Sequence, residues 1–94
     1  MKVYVLSHER FTWEGFYSEV VGVYNTRSYA VEQMFDAEMC WCDENPHEAE
    51  EFICSETNDY CVRHEHPQTG DYVEWSVLEK EVELDPESEL NVKQ

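Results

Sequence analysis

Basic residues are scarce in this chain of 94 residues. Six Lys and Arg stand against 22 Asp and Glu, a formal net charge of -16. Such an excess of acid disfavours direct binding to DNA, RNA, phosphates or anionic membrane surfaces. Glycine and proline are equally sparse, three of each. That argues against a low-complexity chain and leaves little material for a phosphate cradle. No stretch approaches the roughly 20 apolar residues of a membrane span. The opening MKVYVLSHER alternates apolar and polar residues and lacks the apolar run of a signal peptide. Together these absences predict a cytoplasmic protein. No Gly-rich phosphate loop, H-E-x-x-H or G-x-S-x-G is found, and no enzymatic activity and no cofactor are expected.

The chain does have enough apolar residues for a core, 41% of the total with 14% aromatic. Its length suits one small domain. The acid is unevenly spread. Residues 1–35 net -1, and residues 36–94 net -15. Residues 36–59 contain nine acids and no Lys or Arg. Farther on, Glu79, Glu81, Glu83, Asp85, Glu87 and Glu89 alternate strictly. In an extended chain they share one face, roughly 7 Å apart.

Hydrophobic patterning predicts an α+β fold with the order β-β-α-α-β-β. Residues 2–8 read as an interior strand, with Val3 and Val5 on one face and Tyr4 and Leu6 on the other. An aromatic-rich connection over 9–16 leads to a second strand at 17–25, paired antiparallel. Thr26 is the favoured N-cap, with Asn25 and Ser28 as rivals, for a helix ending near Cys42. Ala30, Val31, Met34, Ala37 and Trp41 form its apolar face, with Phe35 at the edge. Asn45-Pro46 with Glu48 predicts a capped helical turn over 46–52. Strands follow at 59–66 and 72–84, joined by the turn PQTGD. A bulge or a change of buried face is expected near 77–78. The expected architecture is an antiparallel sheet of about four strands with the helices on one face, strand order left open. Residues 1–85 make the domain and 86–94 an acidic C-terminal tail.

Four cysteines (Cys40, Cys42, Cys54, Cys61) in such a chain are expected to be reduced. A hairpin turn at 56–59 would set Cys54 opposite Cys61, the one arrangement in which a disulfide is geometrically open. Cys61, His64 and His66 are the nearest approach to a metal motif. Their spacing is poor for zinc, because Cys61 falls on the opposite strand face from the two histidines. No metal centre is expected. Cys, His and acid residues without geometry do not make a catalytic triad.

The remaining signal is charge. A net charge of -16 exceeds the two to eight that keep a small domain soluble, and self-repulsion opposes compaction. Duplex DNA carries one charge per about 1.7 Å, so sixteen charges match roughly 27 Å of duplex. The acids expected to meet a basic partner are Asp43, Glu44, Glu48, Glu50, Glu51, Glu79, Glu81 and Glu83. Phe11 and Trp13 are the expected aromatic anchors. The plain alternative is a structural or regulatory protein whose acidity serves solubility. A second alternative is a Cys/His metal-binding or redox module.

The segments KVYVLSHE, VVGVYNTRSYAVEQM and YVEWSVLEKEVEL resemble small proteins of phages and prophages. In these a strand ending in V-G-V-[FY] leads through a polar cap into an amphipathic helix. Size and acidity also look like those of phage anti-defence proteins, including DNA mimics and anti-CRISPR proteins. The resemblance implies a non-enzymatic inhibitor in the host cytoplasm that occupies a basic surface of a host defence protein. It carries over no catalytic residues.

Overall fold

A computed structural model describes residues 1–82. Glu83 and the expected tail at 86–94 lie outside the described residues. The elements are β1 (Lys2–Thr12), β2 (Gly15–Tyr24), α1 (Arg27–Glu44), α2 (Pro46–Glu51), β3 (Ile53–Thr57), β4 (Cys61–Glu65) and β5 (Tyr72–Glu81). All strands join one antiparallel sheet in the order β2-β1-β5-β4-β3. The fold is α+β as expected, with five strands instead of four.

The extra strand is β3. Every residue of Ile53–Thr57 is exposed. An edge strand without a buried face leaves no alternating pattern to read. A second correction concerns residues 9–12, which extend β1 rather than forming a connection. The hairpin turn is only Trp13-Glu14, with Thr12 opposite Gly15. Thr12 Oγ1 accepts from the Glu14 N–H at 3.2 Å. Gly15 has φ +147°, which a residue with a Cβ rarely adopts.

Helix α1 begins as its sequence dictates. The Thr26 hydroxyl accepts from the Tyr29 N–H at 3.4 Å, satisfying one orphan donor of the first turn. Ala30, Met34 and Trp41 are its buried residues. The helix runs two residues beyond Cys42, to Glu44, and Pro46 opens α2. The capping box at Asn45 and Glu48 does not form. Asn45 Nδ2 turns back to donate to the Trp41 carbonyl at 3.0 Å, and Glu48 engages Arg10 instead.

Among the described residues, only one face of the sheet is covered. Leu6 on β1, Val62 on β4 and Val73, Trp75 and Val77 on β5 pack under Ala30, Met34 and Trp41. Leu6, Met34, Val62 and Val73 are the largest fully buried side chains. The β1–β5 register runs unbroken from Phe11 opposite Tyr72 to Lys2 opposite Glu81. The expected bulge at 77–78 is therefore absent: the apolar phase changes because Leu78 faces the uncovered side. The register shifts lie instead between Leu6 and Ser7 on the β1–β2 pair and between Cys54 and Glu56 on β3.

Strand alternation and register place Val5, Val20, Val23 and Leu78 together on the uncovered side, with Phe11, Phe16 and Tyr72 at its other end. Val20, Val23 and Leu78 are each more than half exposed. The two sides should differ sharply on truncation. Leu6→Ala is expected to cost about 2–5 kcal/mol, whereas Leu78→Ala should stay within about 0.5 kcal/mol. Urea denaturation of both variants checks this contrast.

Candidate functional site

Among the described residues, the helical layer carries a group of acids with no ion-pair partner. Glu32, Asp36 and Asp43 lie on the outward side of α1, one or two turns apart, and all three are exposed. Glu44 ends α1, and Glu50 and Glu51 continue the exposed acid onto α2. Residues 28–62 contain ten acids and no Lys or Arg. Arg27, which opens α1, is held 4.3 Å over the Tyr60 ring.

The other expected acids are partly neutralised where they stand. Glu79 is 3.6 Å from Lys2 Nζ, and Glu81 is 3.0 Å from the Met1 ammonium. Both pairs are exposed, so each contributes little to stability. Both carboxylate oxygens of Glu48 accept from one nitrogen of Arg10, Nη2, at 3.0 and 2.9 Å. Register places Glu79 and Glu81 on the helix side, level with Tyr4 and Lys2. The Glu48–Arg10 pair is six residues along β1, roughly 20 Å away by strand rise. The acids thus share one side of the sheet but occupy two ends of it, with α1 between them.

The two expected aromatic anchors separate. Trp13 is 85% exposed at the hairpin tip. It lines a cleft of about 560 Å³ with Arg10, Glu48, Glu51, Phe52 and His66. Phe11 faces the uncovered side and stacks on Tyr72 at 5.8 Å. The structure therefore unites Trp13 with Glu48 and Glu51 but not with Phe11. Glu32 and Asp36 are not among the acids expected from the sequence to meet a partner; their continuity with Asp43 depends on where α1 ends.

The cysteines are free thiols. Cys54 sits opposite His64, not Cys61, in the β3–β4 register. Among the described residues, His64 alone of Cys61, His64 and His66 enters a cluster of possible ligands, with Glu38 and Cys54. Cys61 faces the uncovered side, opposite Ser76. His66 packs edge-on against Phe52 and lies 3.8 Å from Glu51. Burial, and then the Glu74 carboxylate, push the Cys61 thiol from 9.0 up to about 12. No family model, curated protein or solved structure matches the chain.

A raised thiol pKa lowers the thiolate fraction, and the thiolate is the nucleophile. At pH 8, Cys61 should alkylate far more slowly than exposed Cys40. Its thiolate fraction falls by roughly a thousandfold relative to a thiol of ordinary pKa. Peptide mass mapping over a time course of iodoacetamide labelling checks the order.

Proposed function

We propose that this protein is a non-enzymatic acidic binding protein that occupies the basic, nucleic-acid-binding surface of another protein by charge mimicry. The observation that carries this reading is the acid of the helical layer with no ion-pair partner among the described residues: Glu32, Asp36, Asp43, Glu44 and Glu50 are exposed, with no Lys or Arg between residues 28 and 62. Helix α1 is 18 residues long, and Glu32 to Glu44 span roughly 18 Å of it. A rigid row of carboxylates on that scale suits a groove built for a phosphate backbone.

Glu51 at the end of α2 and Trp13 in the adjoining cleft extend the surface to a side chain able to anchor in a partner's pocket. Glu79 and Glu81 contribute long-range field from the far end, weakened by Lys2 and the amino terminus. In the setting that the likeness to phage proteins implies, the partner is a host defence protein. The paired acids, Glu48 above all, fit the plainer reading of local structural charge. The charge-mimic reading therefore rests on the unpaired ones.

The test is capture from a bacterial lysate by the immobilised protein. A second column carries a variant with Glu32→Gln, Asp36→Asn, Asp43→Asn, Glu44→Gln and Glu50→Gln. Wild type should retain nucleic-acid-binding proteins that duplex DNA competes away. Retention should vanish in about 1 M salt, where the Debye length falls to roughly 3 Å, and on the variant column. Capture indifferent to salt, or equal on both columns, would sink the reading.

A further inference from the structure

Beneath the acid layer, three elements converge on one point. Glu38 hangs from the inner flank of α1, His64 rises from β4, and Cys54 stands opposite His64 on β3. One ligand atom from each lies within 4.8 Å of the others. We propose that Glu38, Cys54 and His64 form a binding site for a zinc-class divalent cation. The site is independent of the charge-mimic reading.

The chemistry of the three donors supports this class. A thiolate, an imidazole and a carboxylate are the ligand types of zinc, whereas calcium and magnesium take oxygen. Zinc holds these donors at about 2.0–2.3 Å in a tetrahedron. Adjacent ligand atoms are then roughly 3.3–3.8 Å apart. His64 Nε2 and Glu38 Oε2 are now 2.5 Å apart, a distance bridged by a proton. Replacing that proton with a cation opens this edge by about 1 Å, and Cys54 must close by a similar amount. Cys54 is free to move, being exposed and held only by a 3.5 Å contact from its Sγ to the Glu56 carbonyl. Binding exchanges protons for the cation: those on the His64–Glu38 bridge and on the thiol leave to solvent.

His64 is only 9% exposed, and its Nε2 is already engaged by Glu38 at the point where Cys54 converges. Ring contacts with Trp41 at 5.3 Å and Trp75 at 6.4 Å lock its plane. They leave Nε2 directed at Glu38, a fixed ligand of the kind metal sites need. Cys42 follows Glu38 by one helical turn.

Cobalt reports the site directly. Untagged protein, reduced and stripped of metal, is titrated with Co²⁺ and watched for the near-ultraviolet band of a thiolate–cobalt bond. One Co²⁺ per chain should bind, and Zn²⁺ should displace it while excess Ca²⁺ does not. Zn²⁺ should also raise the Tm of wild type. Cys54→Ser, at an exposed position, should fold and lose the band. Glu38→Gln should weaken binding about tenfold or more. His64→Ala removes a core ring, so those two variants carry the test. Absence of the band, its persistence in Cys54→Ser, unchanged affinity in Glu38→Gln, or displacement by Ca²⁺ would each overturn the site.

Discussion

The packing of Met34 and Trp41 on Leu6, Val73 and Trp75 is the contact on which the rest of the molecule depends. A single main helix covers a five-stranded sheet, so one layer of side chains must supply nearly all the buried apolar area. Trp41 anchors the helix end, touching Phe52, His64 and Trp75. It thereby ties α1 to β4 and β5 and to the segment that leads into β3. Acid cannot enter this layer without a partner, because an unpaired buried charge is costly. The repulsion of the chain is therefore pushed to the outer side of α1, to α2 and to the strand ends.

The same constraint explains the contrast between the two sides of the sheet. On the uncovered side, Arg63 lies 3.8 Å over the Tyr72 ring and bridges Glu65 and Glu74. Burial opposes its charge, but those two carboxylates more than compensate and hold the guanidinium above its ordinary pKa. That side mixes apolar, acidic and basic groups. The outer side of α1 exposes acid, with no Lys or Arg between residues 28 and 62. One molecule thus presents two different surfaces, and the choice between them follows from which residues α1 had to cover.

Much of this was legible in the chain. The 3.6-residue spacing of Ala30, Met34 and Trp41 fixed the buried stripe of α1, and Thr26 marked its start, because both signals are local. β1 and β5 were readable as strands from alternation. The elements that escaped are those defined by what they meet. β3 buries nothing, so its existence rests on hydrogen bonding to β4. The last third of β1 looked like a loop, because Arg10 and Phe11 take their roles from Glu48 and Tyr72, far away in sequence. Glu38, Cys54 and His64 follow no spacing rule, since their proximity depends on register and on how α1 lies across the sheet.

The strand order also sets when the fold can exist. β1 is made first, yet its inner neighbour is β5. Leu6 meets Val77 across 71 residues of chain. At roughly 5–20 residues per second, β5 leaves the ribosome about 4–14 s after β1. During that interval the β1–β2 hairpin shows Tyr4 and Leu6 on one side and Val5, Val20 and Val23 on the other. The near-neutral charge of residues 1–35 gives it little electrostatic protection. The acid that follows, emerging next on α1 and α2, sets like-charge repulsion against association of such chains before the sheet closes.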